Sequence, residues 1–396
     1  MTSVPIESPF PSLWLRGRKL LPIIQGGMGV GISAHRLASA VAREGAVGTI
    51  ASVDLRRLHP DLMQRLRKVR NPRAHADANL EALDREIQAA RAAAPDGFIA
   101  VNVMRAINHY DEHVRQACAS GADAIIMGAG LPMDLPDLAH DHPEVALIPI
   151  LSEERGVRAV LKKWMRKGRL PDAIVIEHPG HAGGHLGATR LDEVHDAKFD
   201  FPRVLAEIQK VIRELGLALE KIPLIPAGGI NSFAKLKALF DLGAAGAQIG
   251  TPFAVTEECD ADLNFKQVLA EAEPGMIATF LSAAGLPARA VLTPWLQRYL
   301  AREDKLRAQA SPDCAQCPGR VECLAHCGFK DGDSHMGQFC IETQLAAAQR
   351  GNVAHGLFFR GADALPFGRE IRKVRELLET LLTGRAPTPQ TPATAG

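Results

Sequence analysis

The chain has 396 residues, 46% of them apolar, with 46 basic against 45 acidic side chains. Such a length exceeds that of a (β/α)8 barrel by enough for one substantial appendage, and the apolar fraction supplies a sizeable core. The balanced charge offers no field to a polyanion, so nucleic acid is not an expected partner.

No window approaches the apolar length of a membrane span, so no membrane partner is expected. The first twenty residues, interrupted by Pro5, Pro9 and Pro11, lack the order of a secretory signal. A cytoplasmic location is therefore expected. Of 7 cysteines, four crowd between Cys314 and Cys327, which fits reduced thiols or a metal site better than a disulfide framework.

Along the chain, short β-branched runs alternate with longer amphipathic stretches, the pattern of a parallel sheet. Strands are predicted at Leu21 to Gln25, Val47 to Ile50, Phe98 to Val103, Ala124 to Met127, Val145 to Ile150, Ala173 to Ile176, Leu224 to Pro226 and Ala247 to Ile249. Eight strands close a TIM barrel. Helices are predicted at Ala34 to Glu44, Asp111 to Ser120, Glu154 to Lys167, Phe201 to Leu217 and Ser232 to Leu242. Asp61 to Ala94 is too long for one connection and reads as two. The α/β barrel is assigned to residues 1–260, and a C-terminal helical, cysteine-bearing extension to 261–385. The latter runs through Asp262 to Ala272 and Gly285 to Leu306 and closes with a helix at Glu370 to Thr383. Residues 386–396, rich in Pro, Thr and Ala, read as a disordered tail.

In such a barrel the chemistry lies at the carboxyl ends of the strands, while Asp123 and Asp172, just before strands, sit at the end that serves stability. After strand one, Gln25-Gly26-Gly27-Met28-Gly29-Val30-Gly31 lets backbone run flat beside a planar ligand, with Met28 as a polarizable surface. After strand six, Glu177 to Gly187 carries His178, His181 and His185 among glycines. An imidazole there titrates near neutrality and can move a proton; a metal site or plain solvated histidines are the competing readings. After strands seven and eight, Ala227-Gly228-Gly229 and Gln248-Ile249-Gly250-Thr251 form two glycine turns, each opening a helix. Together they make a phosphate cradle, unless they are ordinary tight turns.

The ordered set Pro22 to Met28, Asn102-Val103-Met104, Ala182 to Gly187, Pro226 to Ile230 and Gln248 to Thr251 resembles the nitronate monooxygenase family, formerly 2-nitropropane dioxygenases. The likeness runs from about residue 20 to 260, with a weaker echo from Gly356 to Gly368. It implies an FMN-dependent TIM barrel that oxidises alkyl nitronates, and in some members nitroalkanes, with molecular oxygen. The resemblance puts the FMN phosphate on Gly228, Gly229, Gly250 and Thr251, beside Ala227 and Gln248. Gln25, Gly26, Gly27 and Met28 then face the flavin ring, Asn102 the ring or polyol, and Gly183 and Gly184 the strand-six side. His185 matches the family's catalytic histidine. The family commonly carries an acidic residue where this chain has His181, and an extra imidazole there favours an anionic ligand.

The sequence also leaves open an NAD(P)H-dependent FMN reductase acting on a quinone or enoyl thioester, although no separate dinucleotide fingerprint is evident. A third reading is a flavin and cysteine redox sensor. Cys314, Cys317, Cys323 and Cys327 have the short spacings of an iron–sulfur or zinc site, with reduced structural thiols as the alternative. Cys118 and Cys259 read as buried small hydrophobes. Oligomeric state, a homodimer included, is left open.

Overall fold

The computed structural model describes residues 5–312, 317 and 323–385. Its eight parallel strands are Ile23–Gln25, Val47–Ala51, Phe98–Met104, Ala124–Gly128, Ala146–Leu151, Ile174–Glu177, Leu224–Ala227 and Ala247–Ile249. They close into a barrel, the last pairing with the first. Each predicted strand is present, because barrel strands are buried on both faces and stand out as near-continuous apolar runs. Ile24, Val47, Phe98, Ile126, Ile148, Val175 and Ile225 fill the barrel, while alternate residues such as Ile50, Val101, Ile125 and Ile174 pack under the helices.

The long charged stretch divides as expected, into Pro60–Leu66 and Pro72–Ala93. Pro72 stands at the first helical turn, where its missing N–H costs nothing, and Asn71 caps the helix by accepting from the Arg73 N–H at 3.0 Å.

The amino end of the barrel is plugged by a hairpin, Leu13–Leu15 against Arg18–Leu20, that the sequence analysis did not anticipate. Arg16 and Gly17 both adopt positive φ (48° and 75°), the backbone of a two-residue hairpin turn. Leu13, Leu15 and Leu20 enter the barrel core. Asp123 and Asp172 stitch the plug in place. Asp123 accepts from the Ile99 N–H at 2.7 Å and pairs with Arg18 at 3.1 Å; Asp172 accepts from Leu147 N–H at 2.8 Å and pairs with Arg16 at 3.0 Å.

After strand eight the chain forms helix Leu263–Glu271, then a second unanticipated hairpin, Ile277–Leu281 with Pro287–Val291. Its small residues and half-exposed first strand carry little alternation. Behind it lies a separate core of Phe280, Leu296, Tyr299, Leu324, Phe339, Ile341 and Leu357. The region does not stay apart. Helix Val374–Thr383 returns to the barrel, where Leu377, Leu378 and Leu381 pack with Leu37, Val41, Leu236 and Leu239. Arg375 pairs with Glu44 at 2.8 Å and the Val374 N–H donates to Glu258 at 2.9 Å. Among the described residues, no helix is long and apolar enough to cross a membrane.

Candidate functional site

Strands seven and eight are direct neighbours, with Ala227 level with Gln248, so their glycine turns open side by side at the carboxyl end. Gly228 and Gly229 hold φ of 104° and 74°. A Cβ on Gly229 would stand 2.9 Å from His181 and 3.0 Å from Asp363. Both turns open into one cavity of about 720 Å3, which also receives Gly26, Gly27, Met28, Asn102, Gly183, Gly184 and His185. Thr251 borders it as well; its Oγ1 accepts from the Gly361 N–H at 3.0 Å, leaving its own proton to donate. Gln248 is buried with its Oε1 unpartnered.

Gly27 lies flat against Asn102, whose Cβ would be only 2.3 Å from a Cβ at position 27. Asn102 donates through Nδ2 to the Ile126 carbonyl at 3.2 Å. Gln25 alone among the expected binding residues does not line the cavity. It is fully buried, and its Oε1 accepts from the Thr49 N–H at 2.8 Å, taking over the ladder where strand one leaves strand two for the glycine loop. Its role is to hold that loop's departure point.

The strand-six loop is held by the extension. Gly184–His185 pairs antiparallel with Pro287–Val291, placing His185 opposite Ala288. Arg289, itself buried, donates to the Pro179 carbonyl at 2.9 Å and to that of Ala182. The ring of Phe359 meets the His185 ring edge-on, with centroids 5.7 Å apart. His185 is half-buried and borders the cavity; its Nε2 is buried without a partner, and burial pushes its pKa down to about 4. The imidazole is neutral at physiological pH. Glu177, which sequence reasoning passed over, ends strand six and lines the same cavity, where burial raises its carboxyl to about 7.

The other two histidines are occupied elsewhere. His178 is buried; its Nδ1 accepts from the Gly180 N–H at 3.1 Å, and burial, then His181, lowers its pKa. His181 bonds to Asp363 at 2.7 Å, and Lys235 binds the other oxygen of that carboxylate at 2.7 Å. Burial alone would raise Asp363, but His181 and Lys235 outweigh it and bring it down to about 2. The extra imidazole is therefore matched by an acid from the extension, and the anion preference expected of it does not follow. Among the described residues no three His, Cys, Asp or Glu side chains are arranged to hold a metal ion. That holds for the histidine loop and for Cys317, Cys323 and Cys327; Cys314 lies outside the described residues. Cys323 lines the cavity as an uncharged thiol, which burial pushes up to about 12. Cys118 and Cys259 are buried, as expected.

The sequence model of nitronate monooxygenase matches residues 18–384. The chain belongs to the nitronate monooxygenase family. The match runs through the extension, well beyond the likeness legible up to residue 260. Membership makes the protein a flavin-dependent oxidoreductase and implies FMN as its cofactor. A probable nitronate monooxygenase of Bacillus subtilis (strain 168) is 25% identical over 290 residues, covering 70% of this chain and 78% of that protein. Among solved structures, an M276A mutant of FabK from Thermotoga maritima superposes with a TM-score of 0.64 at 21% identity, over 92% of both chains. A nitroalkane oxidase from Streptomyces ansochromogenes gives 0.61 at 19% identity, over 91% of this chain and 94% of that one. These likenesses extend to the barrel and the extension together.

Proposed function

We propose that this nitronate monooxygenase family member oxidises alkyl nitronates with molecular oxygen, with His185 set against the nitronate group. The observation that carries this reading is the neutral, half-buried His185, which lines a cavity rimmed by two adjoining glycine turns and keeps a ring nitrogen without a partner. FMN, when bound, supplies the electron sink and the reaction with oxygen.

The residues present fit that cofactor. Gly228 and Gly229, in the positive φ of a tight turn packed against the strand-six loop, bring backbone to the cavity rim, and Gly250 and Thr251 add donors for a phosphate beside them. Ala227 and Gln248 support this pair of turns. Gly26, Gly27 and Met28 offer a flat edge for the ring, Asn102 an amide for the ring or polyol, and Gly183 and Gly184 the strand-six side.

A nitronate already carries its carbanion, so the protein must orient it more than deprotonate it. An imidazole whose pKa has fallen to about 4 is a poor base. A neutral imidazole still offers one N–H as a donor to a nitronate oxygen, so preformed nitronates are favoured over neutral nitroalkanes. Phe359 and the paired strand fix the ring's orientation.

Oxygen uptake and nitrite release by the FMN-loaded protein, with an alkyl nitronate and with its parent nitroalkane, test the reading. Turnover of the nitronate well above that of the nitroalkane is expected. Rapid bleaching of the flavin by NADH or NADPH without oxygen, together with no nitronate turnover, would instead favour a reductase.

A further inference from the structure

The nitronate head accounts for only one side of the cavity. A further stretch of its lining is apolar, formed by Met104, Ile107, Leu286, Leu324, Leu345 and Phe359. Ile107 and Leu324 are joined by a backbone bridge, reinforced by the Asn108 N–H donating to Cys323 at 2.9 Å and Ala325 N–H to Ala106 at 2.8 Å. This seam locks the extension to the strand-three loop. Met104, Leu345 and Phe359 pack from the cavity side onto the extension's buried core, so the wall is backed by close-packed side chains. Met104, Leu286, Leu345 and Phe359 are each only half-buried, and water in the cavity is a poor partner for such surface.

The wall is continuous with the reacting end. Phe359 touches His185 on one side and the extension core on the other. The charged group at this wall, Glu342, is already bound by Arg57 at 2.9 Å and paired with Arg56 at 3.5 Å. Asp54 matches the same two arginines, so that cluster is closed on itself, and Arg155 borders the cavity elsewhere.

We propose that this wall is a subsite for an unbranched hydrocarbon substituent on the nitronate carbon. The extension thereby makes the enzyme prefer longer alkyl nitronates to short ones. The inference rests on the nitronate reading for the head group, while the subsite rests on the wall.

The test uses the FMN-loaded full chain and the series nitroethane, nitrobutane, nitrohexane and nitrooctane. Binding is read from perturbation of flavin absorption, and turnover from oxygen uptake with the matching nitronates. Dissociation constants are expected to fall up to about four-fold per added methylene, the gain for moving one methylene out of water. Leu345→Trp should end the gradient at a shorter chain, and Leu286→Asn should flatten it. Either variant serves if the other fails to fold or to retain flavin. A flat series in the wild type, or a gradient untouched in a flavin-loaded variant, overturns the subsite. A binding gradient without oxygen uptake from any nitronate defeats the nitronate reading and leaves the subsite standing.

Discussion

The two ends of the barrel are built from similar residues to opposite purposes. At the amino end Asp123 and Asp172 are saturated with partners: each carboxylate holds a backbone N–H of the sheet and an arginine of the hairpin. At the carboxyl end the polar atoms are left wanting. His185 Nε2 and Gln248 Oε1 have no partner, and Glu177 is desolvated enough to titrate at about 7. Buried polar groups without partners cost stability, so those that line the cavity mark where a ligand completes the structure. The contrast separates residues that keep the fold from residues that await chemistry.

Substitutions at the two ends should therefore fail differently. The largest effect is expected from His185→Ala, which should lower nitronate turnover by about 10²- to 10³-fold while flavin content stays normal. Oxygen uptake within a few-fold of wild type would remove His185 from the reaction. Next comes Gly229→Ala, which forces a side chain into positive φ and against His181. At about 1–3 kcal/mol of strain, FMN should dissociate roughly ten- to a hundred-fold more readily, as read by flavin fluorescence titration.

Asp123→Asn should do the reverse. It should lower the melting temperature by a few degrees, with about 1–3 kcal/mol lost from charge-assisted bonds, yet leave FMN affinity alone. A matching loss of FMN affinity would dissolve the distinction between the ends.

The smallest effects are in pH dependence. His185 takes up a proton near pH 6.5 when unfolded but only near 4 in the fold, so stability falls as pH drops through that window. The acid limb of turnover should accordingly lie near pH 4. Glu177 has the opposite sign. Its folded carboxyl keeps its proton up to about 7 against 4.5 unfolded, so its burial costs stability increasingly as pH rises between them. Glu177→Gln should remove that loss, measurable as a flatter stability profile from pH 5 to 8.

The barrel and its glycine turns were legible because their signals are local. Strands buried on both faces write continuous apolar runs, and positive-φ turns demand glycine wherever they occur. Gln25 shows the limit of that reading. Its place in a ligand-facing motif is local, but the direction of its side chain depends on how strand one meets strand two. Phe359 and Asp363 were illegible for a different reason. An aromatic ring over His185 and a carboxylate on His181 come from a distant strap, and nothing in either residue's neighbours announces the pairing. The half-exposed hairpin at Ile277–Val291 escaped because its small side chains give no period to detect.

One arrangement bears on how the molecule is made. Helix Val374–Thr383 fills a slot in the helical ring between His35–Arg43 and Phe233–Asp241, although the whole extension lies between it and strand eight. A ribosome must therefore release the chain through Thr383, extension included, before the ring can shut. Nascent chains stalled upstream of Val374 should remain protease-sensitive and colourless, with coenzyme uptake deferred until that helix has emerged.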